Sequence, residues 1–474
     1  MRGIVSYGAY VPYWRLQRSA IGAALGQPAG RGTRSVASYD EDTTSMGVEA
    51  ARQAMAGAPE GVHSAGVLFV TTSPPYLDKT NATAIHAALA FDAADPAYDM
   101  IGSVRSWAAA TSSAFFIPSP QLVVLSDVRI GLPGSADERD GGDAAVALLY
   151  GDADPVAVGV GAAHATAEFL DRWRVPGESV SRVWEERFGE HAYVPLAEGA
   201  ITDALKETGL TAAELDHVIV TGVHPRAARR VAAGLGARPE TYADDLSATV
   251  GFTGAAHPGL LLADVLDKAG ADETIAIIAL ADGVDVKLFR TTAALADYRA
   301  RRRVGSTVAE QIASGRDDLA YPTYLTWRGL LDREPPRRPD PVAPAAPVSF
   351  RREAWKFAFS GSRCEACGAR HLPPARVCVS CGAVDQMARE RLADVPGTVA
   401  TYTIDRLGFS LNPPIVAAVV DFDGGGRFSC ELTDVDPNAV AIGNRVEMTF
   451  RRIFTANGVH NYFWKARPIR GGDD

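Results

Sequence analysis

The stretch DHVIVTGVHPRAARRVAAGLG, residues 216–236, decides the fold class. Its first eight residues are apolar nearly throughout and rich in Val and Ile, the pattern of a strand covered on both faces. The remainder has helical spacing and ends at glycine punctuation. The same alternation extends outward along the chain. GVLFVTT (66–72), QLVVLSDV (121–128), AAVALLYG (144–151) and TIAIIALA (274–281) read as further buried strands, and TTSMGVEAARQAMAGA (43–58) as a helix between them. Residues 1 to about 295 are therefore expected to form a layered α/β architecture with helices packed on sheets.

At 474 residues the chain is too long for one core and should hold about three structural units. An apolar content of 47% is that of a folded globular protein, and a net charge of -10 disfavours nucleic-acid binding. There is no uninterrupted apolar run of about 18 residues, and the opening MRGIVSYGAYVPYW lacks a signal-peptide layout, so no membrane association and a cytoplasmic location are expected.

The pattern changes near residue 296. ADYRARRRVGSTVAEQIASG (296–315) is charged and helical in spacing, and REPPRRPDPVAPAAPVS (333–349) is so rich in proline that an extended, semi-rigid connector is expected. REAWKFAFSG (352–361) reads as a short docking helix. Four of the five cysteines follow as two CxxC pairs, Cys364 and Cys367 in RCEACG and Cys378 and Cys381 in VCVSCG. In a reducing compartment such pairs close on one tetrahedral Zn²⁺, with Gly368 and Gly382 helping to form the tight turns. With four cysteine ligands the metal has no open position, so its role is structural, one zinc per chain. From about Leu392 onward, GTVATYTIDRL, PIVAAVVDFDGGGRFSCEL, NRVEMTFRRIF and NYFWKARPI alternate like short strands separated by Gly-rich turns, as in a small closed barrel of the OB type. Cys430, in RFSCEL, sits in strand alternation as an apolar filler.

GIVSYGAYVPYWRL (3–16), YDEDTTSMGVEAARQAM (39–55) and TSPPYLDKTNAT (72–83) together resemble the N-terminal third of 3-hydroxy-3-methylglutaryl-CoA (HMG-CoA) synthase, a thiolase-superfamily enzyme, especially of the archaeal type. LSDVRIGLPGSADERDGGDAAVALLYGD (125–152) resembles the segment closing the first half of that fold. VTGVHPRAARRVA (220–232) resembles the strand, turn and helix presenting its histidine, and TVGFTGAAHPGLLLADVL (249–266) the loop that supplies its asparagine. From about 350 the chain is similar to the zinc-ribbon and OB-fold proteins that accompany thiolases and thiolase-like aldolases. The resemblance implies two pseudo-equivalent halves (1–165 and 166–295), a helical extension and linker (296–350), a docking helix and rubredoxin-like zinc ribbon (351–390) and an OB-fold (391–474). It also implies an acyl-CoA thioester substrate and at least a homodimer, and it leaves open a further thiolase-like subunit.

Claisen condensation in this superfamily uses a cysteine thiolate, a histidine and, in the synthase branch, a glutamate base. In this chain the glutamate position falls near Thr72, the cysteine position at Ser103 or Val104 and the asparagine position near Phe252. Only the histidine, His224, is retained, and no cysteine precedes residue 364. An aldol or retro-aldol step needs no acyl-enzyme and is the reading preferred from sequence. In it His224 polarises the thioester or shuttles a proton, and His257, Asp282 and Tyr76 (with Asp78 beside it) are further candidates. Each of these also has a structural reading as a packed or turn residue. Two alternatives stand: Ser103 as an acyl-carrying nucleophile with His224 as base, against a simple helix-capping serine, and a non-catalytic scaffold that binds acyl-CoA. The RARRR run at 299–303 reads as a solvated helix face rather than a phosphate site, and GGD at 141–143 precedes a strand, so there is no dinucleotide fingerprint.

Overall fold

The computed structural model describes residues 2–28 and 30–470, without the side chain of Glu186. Nine strands form one mixed sheet that divides by direction into two groups. In the first, Gly3–Tyr10 is antiparallel to Ala144–Gly151, which is antiparallel to Gln121–Asp127; then Val67–Thr71 and Ala97–Ile101 follow in parallel. In the second, Ala157–Ala165 is antiparallel to Val284–Thr291, which is antiparallel to Thr274–Leu280, and His217–Gly222 follows in parallel. The second group repeats the directions of the first with one strand fewer. The groups meet at only two rungs, Gly3 opposite Val158 and Ile4 opposite Ala157. Gly3 permits that approach, because a Cβ there would stand 2.2 Å from the Ala157 carbonyl oxygen.

Strands with apolar residues on both faces build layers on both sides. Leu68, Val70, Val123 and Leu125 join Ile275, Ile277 and Ala279 of the other group in one core, together with the helices Ser106–Phe116 and His257–Leu266. Their neighbours Val67, Phe69, Leu122 and Val124 face the helix Thr43–Ala56, and Ala276, Ile278 and Leu280 face the helices Glu186–Thr208 and Pro225–Gly234. Period-two alternation within a fully apolar strand thus produces helix, sheet, helix, sheet, helix. This is the layered arrangement expected from sequence.

The arginine run departs from its solvated reading. Arg299 donates to the carbonyls of Leu266 and Ala269, closing the end of the central helix His257–Leu266. Arg302 is ion-paired with Asp267 and lies over the Tyr7 ring, 4.9 Å from its centroid. Arg303 pairs with Glu447 of the barrel, and Arg301 alone is exposed without an ion pair among the described residues. The run is a clamp because three of its guanidiniums meet carbonyls or carboxylates brought in from other elements.

Residues 332–345 run without regular structure and are largely exposed, then the short helices Ala346–Arg351 and Glu353–Lys356 lead into the ribbon. Trp355 stacks on Phe359 at 5.2 Å and meets Phe428 and Phe463 edge-on. The ribbon carries a three-stranded sheet of Ser360–Cys364, Arg370–His371 and Met387–Arg391. The strands Gly397–Asp405, Ile415–Phe422, Arg427–Leu432, Arg445–Ala456 and Val459–Pro468 close into a barrel.

The barrel docks on the helix Thr43–Ala56 and the loop before it through buried charges. Arg451, fully buried, lies 2.5 Å from Glu41 and 2.6 Å from Asp434. Lys465 Nζ reaches Asp40 at 3.0 Å, Arg467 bridges Glu49 at 2.8 Å and Glu447 at 2.9 Å, and the Tyr462 hydroxyl donates to Asp42 at 2.7 Å.

Candidate active site and metal centre

In open α/β sheets, clefts form beyond the carboxyl ends of parallel strands. Here Val67–Thr71 runs into Thr72, Ala97–Ile101 into Ser103, His217–Gly222 into Val223 and His224, and Thr274–Leu280 into Asp282. A cleft of ≈ 430 Å³ lies there, its walls including Thr72, Ser103, Arg129, Arg174, Val223 and Asp282. The hairpin of Arg172–Trp173 and Arg182–Val183 forms one side.

Ser103 lies just before the helix Ser106–Phe116. Its hydroxyl donates to Asp282 Oδ2 at 3.4 Å and accepts from the Arg105 N–H at 3.1 Å, so it bonds Asp282 and not His224. Arg105 steadies the loop, donating to the Asp282 carbonyl at 2.7 Å and pairing with Asp285 at 2.8 Å. Asp282 is held in the left-handed region at φ 48°, a conformation Asp tolerates better than most residues. Its carboxylate is exposed to the cleft.

His224 caps the helix Pro225–Gly234, its Nδ1 accepting from the Ala227 N–H at 3.0 Å. The imidazole is buried against Gly189, where a Cβ would stand 2.3 Å from its Cδ2 and 2.7 Å from Asp171 Oδ1. Burial raises the Asp171 carboxyl above its ordinary range, opposed by the charges of His224 and Arg172 and reinforced by Asp282. Gly189→Ala should therefore destabilise the fold by about 1–3 kcal/mol through overpacking. Denaturant unfolding measures this; an unchanged midpoint would show that the imidazole is not wedged there.

Two candidates from sequence lie elsewhere. His257 does not line the cleft: it is the first residue of the central helix, buried, with Nδ1 facing the Thr253 N–H and hydroxyl and Phe252 edge-on at 5.0 Å. Burial pushes its imidazole down to about 4, against the influence of Asp245, which suits a neutral packed ring. Tyr76 is turned to the barrel, where its oxygen accepts from the His460 N–H at 2.7 Å and its ring meets that imidazole at 4.8 Å. Asp78 is exposed outside the cleft lining. Helix packing claims the side chain of His257 and the docked barrel that of Tyr76.

The position resembling the family's glutamate is Thr72. Its hydroxyl donates to buried Asp127 at 3.0 Å and accepts from Arg129 at 3.2 Å. Asp127 also accepts from the Thr71 hydroxyl and from the N–H groups of Thr72 and Ala255, joining the two halves. Sequence reasoning missed Arg129, Arg172, Arg174, Asp171 and Gly189. For Arg129 the signal is a basic residue two positions after the buried strand Gln121–Asp127, at the end where clefts open.

The four cysteines of the ribbon bring their Sγ atoms within 4.8 Å of one another. Cys364 and Cys381 are 3.7 Å apart and Cys367 and Cys378 3.5 Å, near the edge of about 3.8 Å in a tetrahedron with metal to sulfur bonds of about 2.3 Å. The two knuckles are alike: the Gly368 N–H bonds the Cys364 carbonyl and the Gly382 N–H the Cys378 carbonyl, with φ of 78° and 77°. At those angles glycine is required without strain. The set can hold one metal ion, about which all four ligands close. Cys430 lies apart, its thiol pushed up to about 12 by burial.

The layered body has a thiolase-like fold. The chain is 26% identical to the HMG-CoA synthase of Methanosphaera stadtmanae over 345 residues, covering 70% of this chain and 99% of the relative. An HMG-CoA synthase structure complexed with CoA superposes with a TM-score of 0.60 at 16% identity, over 68% of this chain and 89% of that one. The 3-oxoacyl-(acyl carrier protein) synthase III of Pseudomonas aeruginosa gives 0.54 at 19% identity, over 61% and 98%. Residues 390–451 match the domain family described as ChsH2, C-terminal OB-fold domain. The chain thus joins an HMG-CoA synthase-like body of thiolase-like fold to a ChsH2-type OB-fold module.

Proposed function

We propose that the protein forms or breaks carbon–carbon bonds on acyl-CoA thioesters by an aldol or retro-aldol reaction, without an acyl-cysteine. The observation that carries this reading is the cleft itself: Val223, the residue before buried His224, lines it, and Asp282 and Ser103 stand together in it, in a body that has no cysteine. Asp282, the exposed carboxylate, is the general base toward the carbon next to the thioester or toward a β-hydroxyl. His224 polarises the thioester or shuttles a proton, and Ser103 orients Asp282. The similarity to HMG-CoA synthases supports the acyl-CoA substrate, and the ribbon cysteines support one structural zinc. Two chains or more per assembly are part of the same proposal.

A second reading makes Ser103 an acyl carrier, favoured by its place before a helix N-terminus. Its partner would then be Asp282 rather than His224. Intact-mass measurement after incubation with acetyl-CoA separates the two, the aldol reading giving no covalent adduct. An acetyl group lost in Ser103→Ala would establish the second. For turnover of a β-hydroxyacyl-CoA, Asp282→Asn should lower kcat by about 10²-fold or more, as removal of a general base does. Undiminished turnover would overturn the assignment of the base.

A further inference from the structure

Arg129 on the wall of the cleft stands without an ion pair among the described residues. Arg129 is half-buried, and its backbone N–H is anchored on Asp143 at 2.8 Å. Its guanidinium donates to the Thr72 hydroxyl at 3.2 Å and lies 5.8 Å from the Phe252 ring centroid, with no ion pair among the described residues. The two carboxylates whose charges act on it are already engaged. Asp127 accepts from Thr71, Thr72 and Ala255, and Asp137 is paired with Arg172. Two more cations, Arg172 and Arg174, line the same cleft, and Arg174 donates to the carbonyls of Thr72 and Ser179. Burial holds the Arg129 guanidinium down at about 10, Arg172 and Arg174 push the same way, and Asp127 and Asp137 act against them. A planar donor group left unpaired between like charges favours an anion with two oxygens.

Resting on the acyl-CoA reading above, we propose that Arg129 is a specificity residue forming a carboxylate subsite in the cleft, with Arg174 reinforcing its charge. The carboxylate belongs either to the far end of the acyl chain or to a free oxo acid that serves as the second reactant. A carboxylate fits better than the phosphates of CoA because Arg129 touches Thr72, at the strand ends where Ser103 and Asp282 also lie. The long pantetheine arm separates those phosphates from the reacting thioester.

Calorimetry on the full-length protein tests this with succinyl-CoA against butyryl-CoA, equal in chain length, and with pyruvate added to the protein saturated with acetyl-CoA. The expected result is one of two: succinyl-CoA at least tenfold tighter than butyryl-CoA, which places the carboxylate on the acyl chain, or saturable pyruvate binding, which places it on a free acid. In Arg129→Gln that preference should fall to near unity, and in Arg129→Lys part of it should return. Equal affinities for both thioesters with no pyruvate binding would overturn the subsite and leave the acyl-CoA reading standing. Failure of every thioester to bind would overturn both. An equal loss of affinity for CoA itself in Arg129→Gln would also overturn the subsite, because the phosphates would then be its ligand.

Discussion

Arg451→Met should cost about 3–5 kcal/mol and loosen the barrel from the layered body, because it strands the buried Glu41 carboxylate and leaves Asp434 only Arg470, at 3.4 Å. Glu41 and Asp434 each lie within 2.6 Å of that guanidinium, and Asp40 is at 3.6 Å; all four side chains are excluded from solvent. The deficit should depend on pH with a definite sign. Burial by itself raises Asp40, but the Lys465 and Arg451 charges together outweigh it and hold the carboxyl at about 2. Glu447 is likewise about 2, with Arg467 and Arg303 outweighing burial. A depressed carboxylate contributes stability above its unfolded value and loses it as pH falls toward the folded one. The native protein should therefore lose this contribution between about pH 4.5 and 2. Glu41 acts oppositely, because burial raises it despite Arg451. Without Arg451, Asp40 and Glu41 should titrate higher, so the variant should be worst near pH 7 and recover relative to the native protein toward pH 4.5. Urea unfolding at both pH values checks this. An equal deficit at each would mean that the lost stability comes from packing rather than charge.

Cys364→Ser should release about one zinc per chain and unfold the ribbon. A module this small buries too little apolar surface to fold alone, and metal binding at the four cysteines would contribute much of its folding free energy. The structure extends the consequence beyond the knuckles. The strand Ser360–Cys364 follows directly from Phe359, which is fully buried among Phe422, Phe428, Phe463 and Trp464 of the barrel. Release of the ribbon should therefore shift the emission of Trp355 and Trp464 as well as the metal content. Cys430→Ser, at the cysteine outside the cluster, should keep its zinc and serves as the control. Full metal retention in Cys364→Ser would remove the cysteine set as the metal site.

The expected strands Val67–Thr71, Gln121–Asp127, Ala144–Gly151 and Thr274–Leu280 were legible because each is a short apolar run whose burial on both faces leaves a local imprint. The barrel was legible from alternation and Gly-rich turns, and the metal centre from spacing alone, since each knuckle closes within five residues. His224, Ser103 and Asp282 could be picked out as candidates, but their pairing could not. Ser103 and Asp282 are 179 positions apart, and which of them faces His224 depends on where the loops after four separate strands come to rest. His257 and Tyr76 were misplaced for the same reason: a neighbouring helix and the docked barrel, neither visible in the local pattern, claimed their side chains.

The amino-acid order by itself therefore determined the layered body, the connector, the four-cysteine knuckles, the barrel and the absence of a cysteine from the body. These are properties of composition and short-range periodicity. Only the tertiary structure decided which charges cancel and which remain. It buried Glu49 beneath Phe450, 401 positions away, turned the arginine run at 299–303 from a solvated face into a clamp, and left Arg129 unpaired in the cleft. Charge compensation is settled by distance in space, and the chain sets that distance only when it folds.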